Sequence, residues 1–265
     1  MTRPVRIALS VCVVCFAGFL AWFFLRNTAK DPICQGKRVS QWVNEAVTGP
    51  RQPETFSRYA KMLGAPAVPF LEKALETEDT STRKTMAWIK SHSPGFLARQ
   101  FADYPPAFIV RQNAAAFLRE FGQSAAGAVP ALCRMAQKDP DHQARVLAAM
   151  AIARLAPYAK GASPFMQRVL LTDSDADLRR AAALYFSRAN LPSPLTVPSM
   201  IKGLQDRDVG VRNWCAYTLG VYGAEATGSI GALTKLAQSD DPASTNAAVA
   251  LKKIQIALQP AGSKN

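Results

Sequence analysis

A chain of 265 residues, 49% of them hydrophobic, is long enough to bury a sizeable core, which excludes an intrinsically disordered protein. Its formal charge of +13, from 32 basic against 19 acidic residues, suits an anionic partner such as nucleic acid, anionic lipid or an acidic protein, or simply a solvated basic exterior. Five scattered cysteines, an odd number, argue against a disulfide scaffold, and the two histidines, His92 and His142, have no Cys/His/Asp cluster at metal spacing around them.

Taken in order, residues 1–6 are a short basic N-terminus. Residues 7–25, IALSVCVVCFAGFLAWFFL, carry no charge and end in Trp22, Phe23 and Phe24. About 20 such residues span a bilayer as a helix, with aromatic residues at its interface, so a transmembrane anchor is expected in preference to a cleaved signal. The Cys12–Cys15 pair lies inside this apolar run, without the context of a redox motif. Basic residues flank both ends of the segment, and its signal-like shape points to a single-pass membrane protein with an extracytoplasmic (periplasmic) body. Residues 26–38 read as a polar linker. Residues 39–64 read as a helical N-terminal cap containing Trp42, broken at Gly49-Pro50 and ended at Gly64.

From residue 65 the chain repeats itself. Arg111, Arg145, Arg179 and Arg212 are spaced by 34, 34 and 33 residues, with Asn246 following 34 later. Pro130, Pro164 and Pro198 keep the same step, and so do Asp139, Asp173, Asp206 and Asp240. Three markers sharing one period predict stacked helix pairs, each burying its apolar face only against its neighbours. The proline is expected to start the first helix, where its missing N–H costs nothing. The aspartate is expected to cap the second helix, and the arginine six residues later to bond turn carboxylates within or between repeats. Between residues 80 and 106 one repeat carries an insertion, with Trp88, His92 and several basic residues on it. Residues 259–265 read as a tail. The fold class is therefore all-α: an α-solenoid of about five helix pairs over residues 65–258, preceded by an N-terminal transmembrane helix.

The turns Asp139-Pro140-Asp141 and Asp206-Arg207-Asp208, with the alanine-rich second helices that follow, resemble those of the HEAT-repeat family, a relative of the armadillo-like solenoids. The opening Gln35-Gly36-Lys37 and the helix with Trp42 look like those of bacterial membrane-tethered HEAT proteins. The resemblance implies a scaffold for protein binding. It also brings two alternatives, since some HEAT-like proteins hold nucleic acid on a basic face and others attach bilins.

Little in the chain suggests chemistry: there is no Gly-rich phosphate loop and no G-x-S-x-G. The pairs Asp139/Arg145, Asp173/Arg179 and Asp206/Arg212 recur in every unit, whereas a catalytic pair is needed once, so they are read as a structural ladder. No catalytic residue, cofactor or metal is expected, and His142 is expected to be solvated in its turn. A protein partner is expected on the second helices, at Arg180, Tyr185, Trp214 and Tyr217, with Trp88 of the insertion as a further contact.

Overall fold

The computed structural model describes residues 31–50, 53–95 and 105–259. Apart from one hairpin, these residues form helices. Strands β1 (Ile33–Cys34) and β2 (Lys37–Arg38) pair antiparallel, Ile33 opposite Arg38, around Gln35 and Gly36, which both have positive φ. Part of the segment expected to be a linker is therefore built structure. Trp42 accounts for this: its indole Nε1 donates to Cys34 O at 2.9 Å and holds the hairpin against α1 (Val39–Thr48). Helix α2 (Pro53–Leu63) completes the cap, with Trp42 edge-on to Tyr59 at 5.2 Å. Gly64 follows with φ 59°, a backbone conformation that favours glycine and ends the helix.

The stacked pairs begin with α3 (Val68–Leu75). Its second helix is α5 (Ala107–Leu118), which comes only after the insertion and the insertion's own helix, α4 (Ser81–His92). Asp79 nevertheless lies at the turn: its carboxylate accepts from Ala107 N at 2.8 Å, closing the gap the insertion opens. Four further pairs follow: α6 (Val129–Lys138) with α7 (His142–Arg154), and α8 (Ser163–Thr172) with α9 (Ala176–Arg188). Then come α10 (Ser193–Gly203) with α11 (Val209–Tyr222), and α12 (Ile230–Ala237) with α13 (Ser244–Leu258). Each second helix packs on the second helix before and after it, from α5 through α13, so the array is serial.

Small side chains set this contact. Ala114, Ala115, Ala148, Ala149, Ala181, Ala182, Ala216 and Ala247 are all buried, so backbones approach where larger residues would hold them apart. Leu132, Ile152, Met166, Leu170, Met200 and Leu219 fill the space between first and second helices, each contributing about 1.5–3 kcal/mol by leaving water. The cap joins this core through Phe56 stacked on Phe117 at 5.1 Å, and through Asn113, whose amide donates to Val47 O and Gly49 O.

The repeat prolines behave as expected with one exception. Pro69, Pro130 and Pro164 lie in the first turns of their helices, but Pro198 lies inside α10. In the other repeats a 3-10 segment leads into the first helix. Here the chain turns helical at once after Pro192, and Pro194 takes the starting place.

Among the described residues no helix is long and apolar enough to cross a membrane. The apolar segment 7–25, Cys12 and Cys15, and the tail from residue 260 lie outside the described residues.

Candidate functional site

The turns between paired helices contain most of the aspartates. Three consecutive repeats place two carboxylates two residues apart, and they do different work. Asp139 and Asp173 close the first helices, and the carboxylates of Asp139, Asp173 and Asp206 accept from the backbone N–H two residues on, at 2.9, 2.9 and 2.8 Å. The cap of the second helix is the other member of each pair. Asp141, Asp175 and Asp208 accept from the N–H groups of Ala144, Asp177 and Val211. The expected capping role thus belongs to the second aspartate, since only a residue adjacent to the helix start reaches its free N–H groups. In the last repeat the acceptor is Asp241, not Asp240: it bonds Ala243 N at 2.8 Å.

The arginines link repeats. Arg111 forks onto Asp139 of the next repeat (Nε–Oδ2 2.6 Å, Nη2–Oδ1 2.9 Å), Arg179 onto Asp206 (2.8 and 2.9 Å), and Arg212 reaches Asp241 at 2.9 Å. Each also donates backwards to a turn carbonyl: Thr77, Asp173 and Asp206 respectively. Arg145 differs. It donates to the carbonyls of Asp139 and Pro140 and makes no ion pair among the described residues. That joint is bridged by His142, whose Nε2 lies 2.6 Å from Asp175 Oδ2 in the following repeat. His142 is therefore not simply solvated. Gln112 to Asp141 (2.7 Å) and Arg180 to Asp208 (2.7 Å) make the same kind of bond at the neighbouring joints.

This hardware perturbs its own titration. The bonds from Arg180 hold Asp208 down to about 2 despite its partial burial. Burial alone would raise Asp206, but the bonds from Arg179 and the Asp208 N–H outweigh it, so its carboxyl sits below the ordinary range. Asp241 is lowered by the Ala243 N–H first and by Arg212 after it. Elsewhere burial pushes the Cys133 thiol up to about 11 and the Cys215 thiol higher still.

The residues expected to face a partner separate into three groups. Tyr185 is wholly buried: its ring sits among the helices and its hydroxyl donates to Ala159 O at 2.8 Å, so it is a packing residue. Residues 181–186 of this helix are all buried, so the spacing of aromatic residues along the chain did not reveal that Tyr185 lies within the stack. Trp214 and Tyr217 do lie together, edge to face at 5.7 Å, with Lys253 over the Tyr217 ring and Tyr217 47% exposed. Arg180 is exposed but already paired with Asp208 and Asp177. Trp88 stands apart on α4, 61% exposed and stacked on His92 at 4.5 Å.

Two features escaped the sequence reading. Donor atoms of His142, Asp175 and Asp177 lie within 4.8 Å of one another, but Asp175 is occupied as a helix cap and Asp177 by Arg180. A second arginine series, Arg119, Arg154 and Arg188, ends α5, α7 and α9 and lines one recess of about 250 Å³ with Glu120, Met150 and Leu184. Its spacing of 35 and 34 residues was visible in the sequence but masked by the stronger turn pattern.

Among curated proteins none matches this chain. The family model described as HEAT repeats matches residues 99–187 and again 163–252, together more than half of the sequence. With stacked helix pairs and turn-to-turn bonding matching that family's architecture, the chain belongs to the HEAT-repeat family.

Proposed function

We propose that this protein is a non-catalytic scaffold that holds another protein on its second-helix face and is tethered to a membrane by residues 7–25. HEAT repeats are a fold of the protein-interaction kind, and the family supports that much. One observation supports the rest: the guanidiniums of Arg111, Arg179 and Arg212 are engaged by turn carboxylates of the following repeat, joint after joint. The exposed groups beyond the joints, Tyr217, Arg154 and Arg188 among them, lie along the second helices, where a stacked array presents a continuous surface. The apolar segment has the length and interfacial aromatics of an anchor.

The tether is tested by alkaline carbonate extraction of the full chain and of a chain lacking residues 1–25. The full chain is expected to stay with the membrane and the shortened one to be released; release of both removes the anchor. The scaffold is tested by cross-linking in intact membranes followed by mass spectrometry. Cross-links from another protein should concentrate on α7, α9 and α11. Their absence from these helices, or hydrolytic or transfer activity abolished by Asp206→Asn, would reject the reading.

A further inference from the structure

We infer that the recess at the C-terminal ends of α5, α7 and α9 is a binding site for an acidic, partly apolar peptide segment of another protein. The inference deepens the scaffold reading and rests on it. Three guanidiniums, of Arg119, Arg154 and Arg188, line this recess with a single carboxylate, Glu120. That carboxylate is engaged by Arg119, Nε to Oε1 at 2.9 Å. Arg154 and Arg188 make no ion pair among the described residues, and both are exposed. Placing two unpaired cations in one recess costs mutual repulsion, which an incoming pair of carboxylates relieves.

The ordinary alternative is that each arginine only complements the dipole at its helix end. That accounts for one arginine per helix but not for their convergence on a shared cavity. It also leaves the other contributors unexplained: half-buried Met150 and nearly covered Leu184 form an apolar floor between the charges. Nucleic acid offers phosphates but little to cover that floor. A peptide offers both, because side chains of either kind alternate along it. Arg188 also borders a neighbouring recess of about 500 Å³ that includes Val221, Tyr222, Lys160 and one carboxylate, Glu225, so the surface continues across the next repeat. Adjacent second helices pack about 8–10 Å apart and an extended peptide rises about 3.3 Å per residue. Side chains on one face of such a peptide recur at every second residue, so acidic residues two apart, about 6.6 Å, are the nearest same-face match to Arg154 and Arg188.

The test uses the full chain in detergent micelles, panned against a displayed library of random peptides. Selected sequences should combine Asp or Glu two apart with Leu, Ile or Phe. A synthetic peptide of that consensus should bind the Arg154→Glu/Arg188→Glu variant at least about tenfold more weakly, with unchanged binding to Arg168→Glu, which alters a first helix. A peptide with lysines in place of its acidic residues should recover binding to the double variant, which shows that the variant is folded and that charge is what was lost. Selected peptides without acidic residues, no selected peptide at all, or equal binding to the double variant overturns the proposal. So does tighter binding of a single-stranded oligonucleotide or of anionic vesicles through the same arginines. Peptides that bind wild type and double variant alike would remove this recess but leave the scaffold reading standing, whereas a chain that neither selects peptides nor cross-links to a protein removes both.

Discussion

Arg145 and Arg179 occupy the same place in neighbouring repeats, yet they hold different partners. Arg179 is 4% exposed and forks onto Asp206, itself 12% exposed, besides two turn carbonyls. Removing it strands a largely covered carboxylate, so Arg179→Ala is expected to cost roughly 3 kcal/mol in urea unfolding, with Arg179→Lys recovering little because an ammonium cannot make the fork. Arg145→Ala loses only bonds to two carbonyls and should cost about 1 kcal/mol. Equal losses at both positions would contradict the description of the joints. Asp208 adds a pH dependence with a definite sign. Its folded-state carboxyl is held at about 2, against an ordinary 3.8, so its contribution is complete above that ordinary value. That stability should disappear as pH falls from about 4 towards 2, and Arg180→Ala should flatten the acid limb. At this scale the sequence showed which residues recur but not which carboxylate each arginine takes. Spacing along the chain cannot tell a bond within a turn from one across a joint.

At the scale of the helix, α10 is where local pattern and packing disagree. Its Pro198 lies inside the helix, and Thr196 Oγ1 is buried with no hydrogen-bond partner among the described residues. A hydroxyl in that state opposes folding, so Thr196→Val, nearly the same shape, is expected to raise stability by about 1 kcal/mol in thermal unfolding. Loss of stability would mean that the hydroxyl has a partner after all. Gly203 ends the same helix against α11, and a β-carbon there would collide with Cys215 Sγ, which is buried and unable to yield. Gly203→Ala should therefore cost about 1–3 kcal/mol, and Gly203→Ala/Cys215→Ala should recover much of it. The proline period was readable and misleading here, because Pro192 and Pro194 start α10 earlier than Pro198 could. The hairpin at 33–38 was not readable either: its two-residue strands exist because Trp42 binds Cys34 O from a following helix.

For the molecule as a whole, a serial array predicts graded stability. Helices α7 and α9 have neighbours on both sides and a fully buried alanine seam, while α13 has no helix packed beyond it among the described residues. Amide exchange is expected to be slowest in α7 and α9 and fastest in α13 and in the cap helix α2; uniform protection across the array would count against a chain of nearest-neighbour contacts. By itself the sequence determined the period, the helix pairs and which residues recur at the turns. It could do so because a repeat meets only its neighbours, so local pattern and global architecture say the same thing. Tertiary structure alone decided which side of each second helix faces inward, burying Tyr185 and leaving Tyr217, Arg154 and Arg188 outside. That rotation is set by how alanine seams mesh between repeats, a contact between residues about 34 apart, and no property of a single helix contains it.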